Sequence, residues 1–467
     1  MILFLLVSLY VIGLTFYVLD KIALKGQWEY VIFFMCLYLP FYTTFLSIVY
    51  QATSSPVAVA VFQYLKELIL LLGLVSFVLY KRDVFSYGFK LNLVDKLFGA
   101  FLSLAVVYVF LPLGEATFIN KLIYLKNTLL MGAVYFLGRN TNFDATEISW
   151  LFRSIMTIAV LAVGLNVVEK AVGAHFQQFT GYALFNYAIN GIEPSGNYGL
   201  TWTFETQTTG MRLASFFSDP LELASSCLMA FAVGLIWYLT TKREEAGFYI
   251  LVMAAAVGSL AFSSSRAAFA AFFIMVAFIA VVFRLYRLLA LGTTAFVLFV
   301  VYVIFFASDD FYYFVYDTIT FQNESSVGHV LEWLIGVESM ISNPWGIGLA
   351  MSGNSASVEE DLRISGESQF LIYGVQLGVI GLLLYIAILA FGISKSLQVF
   401  RKSPNVNSAR VAFVAAVTKF GLLLPLFTAN AELYLYVSLV TWWMLGYSMR
   451  EYNQIKLAEK QLQLVGK

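Results

Sequence analysis

Apolar runs of roughly 18–24 residues, each long enough to cross a bilayer core as a helix, recur along the whole chain. They predict spans near 2–19, 29–49, 57–80, 97–114, 121–138, 149–167, 220–240, 247–264, 267–283, 288–307, 369–392, 411–428 and 432–449. The third and fifth are the weakest, because each contains lysine. An outer-membrane barrel would instead need many alternating segments of about ten residues. The expected fold is an all-α polytopic membrane protein of about 12–13 transmembrane helices, with residues 1–467 forming a single integral membrane domain. The opening MILFLLVSLYVIGLTFYVL lacks a basic n-region and a small-residue cleavage motif, so it reads as the first span rather than a removable signal.

Basic residues give an independent check, since they collect at the cytoplasmic ends of spans. Lys21/Lys25, Lys81/Arg82/Lys90/Lys96, Arg139/Arg153, Lys242/Arg243, Arg284/Arg287, Lys395/Arg401/Lys402/Arg410 and Arg450/Lys456/Lys460/Lys467 all fall on one side of a thirteen-span count. They are 20 of the 28 basic residues, so this side is read as cytoplasmic and the N-terminus as outside. Two long segments, 168–219 and 308–368, then lie on the outer face. The second is the larger; it joins an aromatic, amphipathic FYYFVYDTITF to SSVGHVLEWLIGVESMI and a flexible GIGLAMSGNSAS tract. Short helices along the membrane surface are expected in both.

Composition agrees with the pattern. The chain is 60% hydrophobic and 12% charged, with mean hydropathy +0.81, whereas soluble domains are nearer half apolar and a quarter charged. Lys plus Arg and Asp plus Glu both number 28, so net charge points to no partner class, and no basic nucleic-acid surface is visible. Cys36 and Cys227 sit inside apolar runs and imply neither a disulfide framework nor a zinc site. Tyr and Trp near span ends read as interfacial anchors.

Eight basic residues break the one-sided pattern: Lys66, Lys121, Lys126, Lys170, Arg212, Arg266, Arg363 and Lys419. Charge at membrane depth is costly unless it meets protein, water or a counter-charge, which marks such residues as functional candidates. Lys66 adjoins Glu67, and Lys121 and Lys170 lie close enough to span ends to snorkel. Lys126 lies deeper in its span. Lys419 is mid-span without an adjacent acid, and either pairs across the bundle or meets substrate.

Arg212, in MRLASFFSDPLELASS, and Arg266, in FSSSRAAFAAF, both precede or open inward-running spans. Unpaired amides and the positive dipole end favour an anion at a helix N-terminus, and arginine adds a fork suited to phosphate oxygens. Asp219, Pro220 and Glu222 fit an N-cap, a first helical position and a capping-box acid. Glu367, in GESQFLIYGVQLGVIG, has two readings. An acid in a first helical turn is favoured by the dipole, and an acid beside Ser368 and Gln369 at the outer surface also suits hydroxyl activation or sugar recognition. Gly374, Gly378 and Gly381 read as close helix packing. His175 and His329 stand without an acid cluster, and no metal-binding, Walker A or dinucleotide motif occurs. No metal and no cofactor are therefore expected. Energy for any chemistry must arrive with the substrate, or the protein is a polysaccharide or lipid transporter.

At these residues the chain resembles the O-antigen ligase/polymerase superfamily, the Wzy-like and WaaL-like membrane glycosyltransferases. The resemblance is carried by RLASFFSDPLE (212–222), by Ser264–Ser265–Arg266–Ala267–Ala268, and by Trp333 followed by NPWGIG and ESQFLIYGVQLGVIG. It covers roughly residues 56–450. Ser215 and Leu221 stand where glycine and asparagine are common, and His329 stands near where an arginine often precedes the tryptophan. Glu367 occupies the place of the histidine associated with ligase chemistry, which looks more like a repeat-unit polymerase than a ligase. The resemblance implies a metal-independent GT-C-type bundle in the bacterial inner membrane, acting at its outer face on undecaprenyl-diphosphate-linked oligosaccharides. For O-antigen or other polysaccharide biosynthesis, it implies transfer of the growing chain to a second lipid-linked repeat unit, releasing undecaprenyl diphosphate. Ligation to lipid A core is the alternative. Arg212 and Arg266 would hold the diphosphate, with Lys126 assisting. Glu367 would accept or orient the acceptor hydroxyl, and Arg363, Ser368, Gln369 and His329 would line the substrate site. A Wzz-like chain-length co-polymerase and membrane lipids are the implied partners.

Overall fold

Each of the thirteen predicted apolar runs falls on helix in the computed structural model, with shifted ends. The structure describes residues 1–81, 90–206, 210–320, 322, 324–353, 363–364 and 366–465. Arg82, Phe321, Lys467 and residues 354–357 of the GIGLAMSGNSAS tract lie outside the described residues. The helices are α1 (Ile2–Leu24), α2 (Trp28–Thr53), α3 (Pro56–Lys81), α4 (Leu93–Phe110), α5 (Phe118–Arg139) and α6 (Ala145–Val172). After two short helices, Phe176–Thr180 and Tyr182–Phe185, come α7 (Pro220–Thr240), α8 (Ala246–Ser263), α9 (Arg266–Val282) and α10 (Tyr286–Phe305). The chain continues through α11 (Asp309–Ile319), α12 (Glu324–Ser342), α13 (Gln369–Lys402), α14 (Val406–Thr428) and α15 (Leu435–Val465).

Among the described residues, nine helices are long and apolar enough to cross a membrane: α1–α4, α6–α8, α13 and α14. The lysine-bearing third run is one of them. Four expected spans fall short of that standard for local reasons. Lys121, Lys126 and Arg139 dilute α5, and α15 runs on into the polar REYNQIKLAEK. The apolar stretches of α9 and α10 are shorter, divided where Arg284 takes a positive φ of 57°. The protein is thus an all-α polytopic membrane protein, and its described residues hold nine apolar spans and no β-sheet beyond isolated bridges.

The core is organised around α15, whose Trp442 and Trp443 are fully buried. It packs along α5, where a Cβ added to Gly138 would overlap the Trp443 carbonyl and one added to Gly446 would overlap the Tyr135 carbonyl. Small residues let two helices in a bilayer approach until backbone meets backbone. Charges inside the bundle are matched, between helices or, for Lys66 and Glu67, within α3. Arg139 Nε lies 3.1 Å from Asp95 Oδ1, and Lys126 and Lys66 Nζ lie 3.1 and 3.3 Å from Glu67 Oε1. Lys121, rather than snorkelling, donates to the carbonyls of Leu111 and Leu113 at 3.0 and 2.7 Å.

α13 is broken at Gly378, where φ is +73°. The peptide groups freed by the break are taken up by the NPWGIG segment. Val379 N donates to Pro344 O at 3.0 Å, while Ile347 N and Gly348 N donate to Val375 O and Gln376 O at 2.8 and 3.2 Å. The Gln376 side chain completes the seam, accepting from Ala350 N at 2.6 Å and donating to Tyr124 Oη and Ser352 O. Gly378 is therefore required by a positive-φ backbone, not only by close packing. Gly378→Ala should lower the thermal unfolding midpoint of detergent-purified protein, because a positive φ with ψ of −176° is open essentially to glycine alone and costs another residue about 1–3 kcal/mol, and the new Cβ meets Pro344 O. An unchanged midpoint would show that the break is not strained.

Candidate functional site

The segment Arg212–Asp219 is fixed by contacts from four directions. Arg212 N and Leu213 N donate to Phe204 O and Phe262 O, each at 3.0 Å. Glu169, near the end of α6, accepts from Ser215 N at 3.1 Å and from Phe176 N at 2.9 Å. Gln177 Nε2 donates to Ser215 O and Phe217 O at 2.8 and 3.0 Å, and Thr44 Oγ1 donates to Phe216 O at 2.8 Å. These bonds hold Ser215 at a φ of +54°, a conformation that glycine adopts without cost. This accounts physically for a serine, instead of glycine, being workable here.

The same segment is stapled to the α8–α9 turn. Arg212 Nε donates to Ser263 O at 3.1 Å, and Ser265 caps α9 by accepting from Ala268 N. Arg212 and Arg266 consequently stand close enough for their charges to repel. Burial, then that repulsion, pulls the Arg212 guanidinium below its usual value, against Asp219 and Tyr434. Asp219 is the N-cap of α7, accepting from Leu221 N and Glu222 N at 2.7 and 2.8 Å, with Pro220 at the first helical position. Burial raises its pKa. Glu222 departs from the expected capping box: its carboxylate takes Ser218 and, at 3.5 Å, Tyr436 N, so it ties α7 to α15.

Glu367 pairs with His329 Nδ1 on α12. Its neighbour Gly366 N donates to Glu332 at 2.7 Å, and Trp333, one turn past His329, packs on Phe427 with ring centroids 4.6 Å apart. The two halves meet at Tyr434, whose hydroxyl feels the charges of Asp219, Glu222, Arg212 and Glu367, and which burial pushes well above the usual phenol range. Sequence reasoning missed Tyr434. Its signal was the polar NAE ahead of the last apolar run. Four helices, α7, α9, α13 and α15, begin around this point. Their positive ends all favour an anion there.

The other predicted residues divide. Gln369 and Ser368 are buried, and Gln369 Oε1 accepts from Glu432 N at 3.3 Å. Arg363 is exposed four residues before Glu367. Lys126 is committed to Glu67 and to the Tyr64 ring, and among the described residues no contact joins it to the arginines. Lys419, one of the two alternatives resolved, pairs across the bundle with Glu432 at 3.8 Å. Glu432 also accepts from Tyr385 Oη and from Trp442 Nε1. Among the described residues no group of three or more His, Cys, Asp or Glu side chains is placed to hold a metal ion.

Residues 248–386 match a family model described as O-antigen ligase. The matched stretch contains Arg266, His329, Arg363 and Glu367 and stops short of Arg212 and Tyr434. It supports the general Wzy/WaaL-like superfamily of O-antigen ligases and polymerases. No match appears among curated proteins.

Ser215→Gly should leave the unfolding midpoint unchanged or higher, whereas Ser215→Val, β-branched at a positive φ, should lower it; equal midpoints would argue against the constraint. His175 is fully buried between Tyr198 and Phe204, with neither ring nitrogen hydrogen-bonded. Burial lowers its pKa to about 4, partly opposed by Glu205. A depressed folded-state value means stability is complete above about pH 6.5 and is lost as pH falls from there through about 4, by at most about 3 kcal/mol. His175→Phe should flatten that part of the stability–pH curve.

Proposed function

We propose that this chain is a membrane glycosyltransferase that moves a glycan from a lipid-diphosphate carrier to an acceptor sugar hydroxyl. The observation that carries the reading is the gathering of Arg212, Arg266, Tyr434 and the Glu367–His329 pair where four helices begin. Cationic forks and dipole ends suit a leaving diphosphate, and a carboxylate–imidazole pair suits the hydroxyl that replaces it. In the proposed step the acceptor oxygen bonds to the anomeric carbon while the carbon–oxygen bond to diphosphate breaks. The hydroxyl proton passes to the Glu367 carboxylate, which His329 holds in place. Arg212 and Arg266 take up the charge that develops on the departing diphosphate. Since that leaving group carries the driving force, the step needs no nucleotide.

The carrier is proposed to be undecaprenyl diphosphate and the location the bacterial inner membrane, with the site on the outer face. The family description favours ligation, in which the acceptor is lipid A core. Polymerisation, with a second lipid-linked repeat unit as acceptor and a Wzz-like partner, is the second reading, because Glu367 replaces the expected ligase histidine. His329 supplies an imidazole to that carboxylate from α12, so the replacement weighs less against ligation than it does in the sequence alone.

Reconstitution with synthetic lipid-diphosphate glycans separates the readings: an absolute need for a lipid A-core acceptor gives ligation, and extension of the lipid-linked glycan alone gives polymerisation. Arg212→Ala and Arg266→Ala should each reduce transfer about 10²–10³-fold with the folded protein retained, and lysine at either position should restore part of it. Wild-type rates in both alanine variants would remove the diphosphate site. Glu367→Gln should lower kcat more than it raises KM.

A further inference from the structure

A cavity of about 610 Å³ lies between α1, α2 and α6, within the roughly 300–1,000 Å³ of small-molecule sites. Its walls are apolar: Leu6 and Tyr10 from α1, Phe41 and Phe45 from α2, Ile158 and Leu161 from α6. Leu6, Tyr10 and Leu161 are exposed, so the groove opens sideways to the surroundings of the bundle. One end is different in kind. Arg153, Ser154 and Thr157 line it, with exposed Trp150 beside them. Ser154 Oγ is spent on the Trp150 carbonyl at 3.0 Å. The Arg153 guanidinium is exposed, and among the described residues no hydrogen bond or ion pair engages it.

Depth gives this arginine its meaning. α6 has 28 residues, about 42 Å at 1.5 Å per residue, which matches a bilayer of roughly 40–45 Å including its headgroups. Arg153 follows the first residue, Ala145, by eight positions, about 12 Å along the axis. Its Cα therefore stands about 6 Å inside the hydrocarbon core, a depth from which an arginine side chain snorkels toward the phosphate level. Other basic residues at membrane depth, Lys66, Lys126 and Lys419, have a carboxylate. Arg153 instead faces an apolar slot wide enough for a chain, with its charge at the mouth.

We infer that this groove is a phospholipid site: one anionic phospholipid places its phosphate on Arg153 and Thr157 and lays an acyl chain along Phe41 and Phe45. The site is separate from the proposed transfer site. Glu169, which holds the arginine segment through Ser215, follows Arg153 on the same helix by sixteen positions, about 24 Å. The two anion-binding ends thus face opposite surfaces of the membrane. The sequence reading puts the Arg153 end on the cytoplasmic side, where anionic lipids concentrate. The groove still communicates with the segment above, because Phe41 packs on Phe216 with ring centroids 4.3 Å apart. A bound chain would brace that contact.

The inference does not depend on the glycosyltransferase reading, and its test measures lipid rather than activity. Full-length protein in mild detergent is titrated with phosphatidylglycerol or phosphatidylcholine of identical chains and examined by native mass spectrometry. The wild type should retain one phosphatidylglycerol with several-fold preference. Arg153→Ala should abolish the preference, Arg153→Lys should keep part of it, and Thr157→Trp, which fills the groove while leaving the charge, should reduce retention of both lipids. Equal retention of the two lipids by the wild type, or a preference that survives Arg153→Ala, overturns the site. Displacement of phosphatidylglycerol by an equimolar polyprenyl diphosphate also overturns it, in favour of a carrier-lipid groove.

Discussion

A charge or peptide group at hydrocarbon depth has no water to turn to, and this bundle is arranged around that cost. Asp95 meets Arg139 between α4 and α5, Glu67 meets Lys66 within α3 and Lys126 on α5, and Glu432 meets Lys419 beside α15. The same rule governs the backbone. Where α13 breaks at Gly378, the exposed peptide groups are met by the NPWGIG segment instead of solvent. That seam anchors one end of the 343–353 loop against α13.

The candidate site follows from these anchors. Glu169 and Gln177 hold the 212–219 segment from one side, and the Ser263 turn holds it from the other. The Glu432 network, reached from Gln369, fixes the start of α13 next to the turn that carries Tyr434. Residues that look polar and available in the sequence, such as Ser368 and Gln369, are buried underneath. Around Tyr434 stand the Asp219, Glu222 and Glu367 carboxylates and the Arg212 guanidinium, with Arg266 beside Arg212 and His329 on Glu367, drawn from segments scattered between residues 212 and 434.

Much of the helical architecture was legible in advance because apolar runs are a local property: length and hydropathy alone place a helix at each of them. The exceptions are instructive. α5 is a helix whose polar positions, Lys121, Thr128 and Arg139 among them, face protein, and α15 packs its apolar half into the core before running on into a more exposed polar end, so the composition of each falls short of a span while its packing is central. The Asp219 cap was legible too, since an N-cap depends on neighbours in sequence; Glu222 was misjudged because its partner, Tyr436, is on another helix. The anomalous arginines stood out by breaking the one-sided distribution of basic residues, whereas Arg153 conformed to it and attracted no notice.

By itself the sequence determined that this is a multi-span helical membrane protein, and which charges lie where a bilayer makes charge expensive, because both depend on composition within about twenty residues. Only the tertiary structure decided what each of those charges meets. Lys126 and Lys419 found acids, Arg212 and Arg266 found one another, and Glu367 found His329. Such pairings are set by which helices touch and at what height, and packing fixes that across the bundle rather than along the chain.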